Sequence, residues 1–115
     1  MENLNSLRDQ LRTFAAERDW DQFHSPKNLA SALSVEAAEL LEKFQWLTEA
    51  ESQNLPPEAL EGVRQEVADV LLYLIRISDK LGIDLIAAAQ AKMTLNAQKY
   101  PADLARGTSK KYDEL

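Results

Sequence analysis

From Val67 to Ile77 nine of eleven residues are apolar, and only Asp69 and Arg76 interrupt the run. No strict alternation is present there, so the segment does not read as a half-buried strand. It reads as a helix that is apolar on more than one side. One stripe faces the chain's own core, while Leu72 and Ile75 point roughly the opposite way at about 100° per residue. A helix apolar all round is covered on two sides, and in a chain of 115 residues the second cover is most simply another subunit.

The punctuation around this segment is helical too. Leu4, Leu7, Leu11 and Phe14 recur at helical spacing and predict a first helix over residues 3–18. Residues 20–25 form a polar-aromatic connection. Ser25-Pro26 is an N-cap followed by proline at the first helical position, opening a second helix that runs to about Trp46. Its stripe is Leu29, Leu33, Leu40, Phe44 and Leu47. Residues 48–56 read as a loop, and Pro57 opens a third helix that ends at Leu81 before Gly82. Asp84 caps a fourth helix through Lys99, and Pro101 marks its end. Four helices with short links predict an all-α, antiparallel four-helix bundle over residues 1–101 that oligomerises through apolar helix faces. Residues 102–115 form a polar, extended or mobile tail.

Composition narrows the possible functions. A formal net charge of −6 argues against a nucleic-acid binder, which would carry a basic face. The absence of cysteine excludes disulfides and thiolate chemistry, and one histidine excludes a site needing two from one chain. The apolar run is too short and too charged to span a bilayer, and Met1-Glu2-Asn3 does not open a secretory signal. The expectation is a cytoplasmic protein without a membrane partner.

The informative residues are acids in apolar places. Glu36 falls inside the arc of Leu29, Leu33 and Leu40, and Glu39 lies one turn later. Asp69 breaks the apolar run of the third helix, and Glu66 lies one turn earlier. Each pair projects from one helix face at i, i+3 spacing. On neighbouring helices the two pairs would cluster four carboxylates, which repel unless a cation joins them. Mg²⁺ suits such a set, since it takes oxygen ligands and completes its shell with water and substrate phosphates. A di-iron site of the ferritin type would need Glu-x-x-His pairs, which neither helix has. Either pair alone would read as an ordinary charged face.

Glu36-Ala-Ala-Glu39 followed by Glu66-Val-Ala-Asp69 resembles the ExxE…ExxD signature of the MazG-like nucleotide pyrophosphohydrolases. Further words in the same order, Arg18-Asp19-Trp20-Asp21-Gln22-Phe23-His24, Phe44-Gln45-Trp46, Asp69 to Leu74, Lys99-Tyr100-Pro101 and Ser109 to Tyr112, are similar to the dCTP pyrophosphatase branch. The resemblance implies Mg²⁺-dependent hydrolysis of a nucleoside triphosphate to the monophosphate and pyrophosphate, with Mn²⁺ able to substitute. It implies Glu36, Glu39, Glu66 and Asp69 as metal ligands; a carboxylate not fully used as a ligand can serve as the base, and Glu39, at the edge of its stripe, is the first catalytic candidate and Glu36 the second. It places Trp20, Trp46 and Tyr73 at the nucleotide pocket, and Lys92, Asn96, Lys99 and Tyr100 near phosphates and sugar. It also implies a homodimer or homotetramer with sites built between subunits.

Two departures from that pattern stand out. Val35 precedes Glu36 where the broader family carries a second acid, an acid that the dCTP-type branch also lacks. Leu11 lies where vertebrate members of that branch carry a pocket histidine. His24, next to Ser25-Pro26, reads as a capping or packing residue. Lys92, Asn96 and Lys99 without the resemblance would be a solvated face. The alternative for the whole chain is a non-catalytic helical scaffold or a nucleotide- or metal-binding module.

Overall fold

The computed structural model describes residues 2–115. Among these residues there are helices, turns and no strand. The chain resolves into two compact units, one ending at Gly82 and one spanning Ile83–Leu115.

The first unit holds α1 (Leu4–Glu17), α2 (Pro26–Glu42), α3 (Glu49–Ser52) and α4 (Pro57–Leu81), with a 3₁₀ turn at Asp21–Phe23 between α1 and α2. Each long helix starts where a side chain accepts from a free N–H group of the first turn or a proline removes one. Asn3 accepts from the Ser6 amide at 2.9 Å, and Ser25 accepts from the Asn28 amide at 3.1 Å ahead of Pro26. Gly82 closes α4 in the left-handed region at φ 67°.

α4 packs against α2 and, less extensively, against α1. Three pairs fix the direction of α2 against α4. Lys43, capping the end of α2, lies over Gly62. Glu36 and Glu39 meet Glu66 at mid-helix. His24, just before α2, meets Arg76 near the end of α4. Residue numbers fall along α2 as they rise along α4, so the two helices are antiparallel.

Three expectations for the first unit are corrected. α2 ends at Glu42 rather than Trp46, because the backbone tightens: the Phe44 and Gln45 amides both donate to the Leu41 carbonyl at 2.9 Å. The apolar stripe continues into this turn through Phe44 and Leu47, which is why periodicity alone overruns the helix. The expected loop 48–56 contains α3, held by a capping box. There Thr48 Oγ1 accepts from the Glu51 amide at 3.1 Å, and Glu51 Oε1 accepts from the Thr48 amide at 2.9 Å.

The third correction concerns the faces of α4. Ile75 is 3% exposed and Leu72 turns inward to line a cavity within the first unit. The residues turned outward are Leu60, Val67, Leu71 and Leu74, between 37% and 52% exposed. Two apolar faces were legible in the sequence, but which one faced inward was not.

The second unit comprises α5 (Leu85–Lys99), α6 (Ala102–Ala105) and a 3₁₀ turn at Tyr112–Glu114. Asp84 caps α5, accepting from the Ala87 amide at 3.0 Å. Residues 102–115, expected as an extended or mobile tail, contain α6 and that turn. Tyr112 packs edge-on against Tyr100, with ring centroids 6.3 Å apart.

Candidate active site

The antiparallel packing of α2 on α4 sets two acidic pairs against each other. Carboxylate oxygens of Glu36, Glu39 and Glu66 all lie within 4.8 Å of one another. Asp69, one turn beyond Glu66, lines the adjoining cavity, and its charge bears on both Glu36 and Glu66. The structure therefore assembles three of the four expected ligands tightly and places the fourth at their edge.

The carboxylates raise one another's pKa values. Desolvation by the surrounding protein, then the neighbouring Glu39, then Asp69 and Glu66, push the Glu36 carboxyl from 4.5 up to about 7. Glu66 is raised as well, first by desolvation and then by Glu39 and Asp69, with Lys43 partly offsetting them. Glu36 Oε2 and Glu66 Oε2 are buried and have no hydrogen-bond partner. Buried polar atoms are normally satisfied. Two orphaned oxygens, from facing helices and beside a third carboxylate, fit a hard divalent cation that accepts oxygen ligands.

A pH dependence follows for the metal-free protein. Below about 4.5 Glu36 is protonated in both the folded and the unfolded state. As pH rises from there to about 7 the unfolded chain ionises while the folded chain retains the proton, so this group's contribution to stability falls. His24 works in the opposite sense, because its folded pKa is depressed below 6.5. Glu36→Gln is therefore the reference. Its melting temperature should exceed that of the metal-free wild type by a margin that widens between about pH 5 and pH 7.5. A margin that stays constant across that range would show that Glu36 does not titrate there.

Beside the carboxylates lies a cavity of about 240 Å³. Trp20 and Tyr73 both line it, and Phe14 meets Trp20 edge-to-face at 5.7 Å. Leu11 lines it as well, in the place where the related pattern would put a histidine. Trp46 does not. It follows the opposite end of α2 and is 87% exposed. Lys92, Asn96 and Lys99 are exposed on α5 in the second unit, where Lys99 Nζ lies 5.1 Å from the Tyr112 ring centroid and Tyr100 packs on the same ring.

The sequence reading missed Arg76 as part of the cavity wall and gave His24 only a capping or packing role. Arg76 is a charged residue inside an apolar run, the same signal that marked Asp69.

Comparison with known proteins agrees with this architecture. Residues 31–115 match the model of the MazG-like family. Human dCTP pyrophosphatase 1 is 45% identical over 114 residues, covering 97% of this chain and 67% of the human protein. The mouse dCTP pyrophosphatase 1 is 43% identical over the same length. The crystal structure of a pyrophosphatase from Archaeoglobus fulgidus superposes with a TM-score of 0.77 at 42% identity, covering 88% of this chain and 94% of that one. No helix among the described residues is long and apolar enough to cross a membrane. The family match over most of the chain, together with relatives of this identity, makes the chain a member of the MazG-like family.

Proposed function

We propose that this chain is a Mg²⁺-dependent pyrophosphohydrolase of nucleoside triphosphates, with dCTP or a close pyrimidine analogue among its better substrates. The hydrolase class follows from its dCTP pyrophosphatase relatives and the family it belongs to. The metal and the substrate are the finer steps. The observation that carries them is the convergence of Glu36, Glu39 and Glu66, with two orphaned oxygens, next to a cavity walled by Trp20 and Tyr73.

Glu36, Glu39, Glu66 and Asp69 would hold the metal through their carboxylate oxygens. A bound Mg²⁺ withdraws charge from phosphoryl oxygens and acidifies water in its shell. Glu39 stands against both Glu36 and Glu66, and neither of its oxygens is a buried orphan. We assign it, through an oxygen not engaged by the metal, to accept the proton of the attacking water. The water oxygen bonds to the α-phosphorus as the bond from that phosphorus to the α,β-bridging oxygen breaks, so that the bridging oxygen leaves with its electron pair on pyrophosphate and the nucleoside monophosphate remains. Trp20 and Tyr73 offer ring faces on which any base can stack, so the choice among bases rests on hydrogen bonds. Lys92, Asn96, Lys99 and Tyr100 are assigned to phosphates and sugar. Within a single chain Trp46 is remote from the cavity, so its assignment to the base goes with self-association into a dimer or tetramer.

Pyrophosphate release across the four deoxynucleoside and four ribonucleoside triphosphates, with Mg²⁺ or Mn²⁺, tests this reading. Activity that vanishes on chelation and is highest with dCTP is expected. Trp20→Ala should raise KM several-fold more than it lowers kcat, because the ring grips the base equally in ground and transition states. Equal rates on all four deoxynucleotides would remove the pyrimidine preference. No hydrolysis with any nucleotide or metal would return the chain to the scaffold reading.

A further inference from the structure

Arg76 sits in the apolar run of α4 between buried Ile75 and half-buried Ile77, and its side chain is only 6% exposed. A guanidinium that deep needs partners. Most of them come from the turn between α1 and α2. Arg76 Nη2 donates to Asp21 Oδ1 at 3.0 Å, and Nε donates to His24 Nδ1 at 3.3 Å. Asp79 on α4 lies 3.8 Å from Nη1, and Lys80 also donates to Asp21 at 2.5 Å.

The turn so held carries Trp20. It begins at Asp19, a non-glycine residue in the left-handed region at φ 52°, where Gln22 Nε2 donates to the Asp19 carbonyl at 3.0 Å. The placement of Trp20 in the cavity wall thus depends on a strained turn tied to α4 through Arg76 and Lys80.

The chemistry of the pairing fixes a proton. A guanidinium has donors and no acceptor. His24 Nδ1 must therefore accept, and the neutral ring carries its hydrogen on Nε2. Among the hydrogen bonds of the described residues, those to the imidazole go to Nδ1, which leaves Nε2 free. His24 lines the same cavity as Trp20 and Tyr73.

We propose that Arg76 is a positioning residue that holds His24 as a neutral imidazole with its hydrogen on Nε2, so that the cavity presents a donor to an acceptor on the nucleobase edge. A pyrimidine ring carbonyl is the class of acceptor it fits. The proposal rests on reading this cavity as the base pocket of a nucleotide hydrolase.

The charges around the ring support this state. Asp21 faces it from its own turn, and Arg76 and Lys80 face it from α4. Asp69 and Tyr73, also of α4, are the other titratable groups on the cavity, and the α1 residues there, Leu11, Phe14 and Ala15, are apolar. Burial first, then the charge of Arg76, lowers the imidazole pKa below 6.5; Lys80 adds to this and Asp21 opposes it. The neutral ring therefore persists to lower pH than a free imidazole would.

The chain has one histidine, so its ring nitrogens can be read without assignment ambiguity in the whole protein by ¹⁵N magnetic resonance. At about pH 7.5 the metal-free wild type should show a protonated Nε2 and an unprotonated Nδ1. Adding dCMP without metal should shift the Nε2–H signal. Arg76→Met should mix the tautomers and raise KM for dCTP roughly three- to tenfold, the loss of about one hydrogen bond, with kcat nearly unchanged. Arg76→Lys should recover part of the KM. A wild-type ring protonated on Nδ1, no response to dCMP, or a folded Arg76→Met variant with unchanged KM would each overturn the proposal. If Arg76→Met does not fold, the wild-type tautomer and its response to dCMP decide. An inactive wild type would instead overturn the hydrolase reading, because the tautomer is read on the resting protein.

Discussion

Glu36→Gln, Glu66→Gln and Asp69→Asn should each lower turnover at saturating Mg²⁺ by at least about 10²–10³, the scale on which a well-placed electrostatic contact to a transition state is lost. The amide keeps the size of the side chain and removes the charge that attracts the metal. Complete removal of metal by chelation should cost more than any single variant. Folding should move the other way. Glu36 and Glu66 have raised pKa values because they are desolvated beside like charges. Their neutral variants should therefore melt, without metal, at or above the wild-type temperature. Mg²⁺ should raise the wild-type melting temperature by binding the folded state and should raise that of the variants less. Glu51→Gln is the control: a glutamine preserves the capping box at the start of α3, so turnover and melting should be unchanged. Turnover and metal-free melting measured on the same preparations separate the cases. Near-wild-type turnover in Glu36→Gln and Asp69→Asn would place the metal elsewhere. A loss of activity that tracks a loss of folding would make these residues structural.

The acidic pairs were legible because two local rules agreed on them. Spacing of i, i+3 puts Glu36 with Glu39 and Glu66 with Asp69, and charges inside apolar stripes need a reason to be there. What spacing does not carry is the register between helices, and that decides that Glu36, Glu39 and Glu66 converge while Asp69 stands at the cavity. The helix starts at Ser25-Pro26, Pro57 and Asp84 and the stop at Gly82 were readable from capping chemistry. The end of α2 was not, because Phe44 and Leu47 continue its apolar period through a tightened turn. Thr48-Glu49-Ala50-Glu51 did carry the capping-box pattern for α3, a signal present and overlooked. The Arg76 cluster was out of reach of any local rule: its partners Asp21 and His24 lie 55 and 52 residues away in sequence. Trp20 and Trp46 looked equivalent, one at each end of α2, yet only Trp20 reaches the cavity. That difference is set by the antiparallel packing rather than by anything near either residue.

Leu71→Lys should convert an associated wild type into a monomer. Leu60, Val67, Leu71 and Leu74 form one outward stripe on α4, while Ala15, Leu29 and Ile75 are the buried apolar residues of the described chain. A contiguous apolar stripe on a domain this small is the kind of surface that self-association would cover. In a two-fold interface the same residue occurs on both sides, so one substitution is made twice. At about 2 kcal/mol for each central contact, the dissociation constant should rise by roughly 10³, and a buried lysine adds to that. Leu71→Ala should fall between the two. Light scattering at micromolar concentration measures the outcome, and a wild type that is already monomeric would show that the stripe is not an assembly face. Activity of the Leu71→Lys monomer then carries a second answer. If the carboxylates and the Trp20 cavity suffice, the monomer keeps turnover with little change in KM. If Trp46 of one copy completes the pocket of another, KM for dCTP rises as the oligomer dissociates, and Trp46→Ala reproduces that rise without changing the mass.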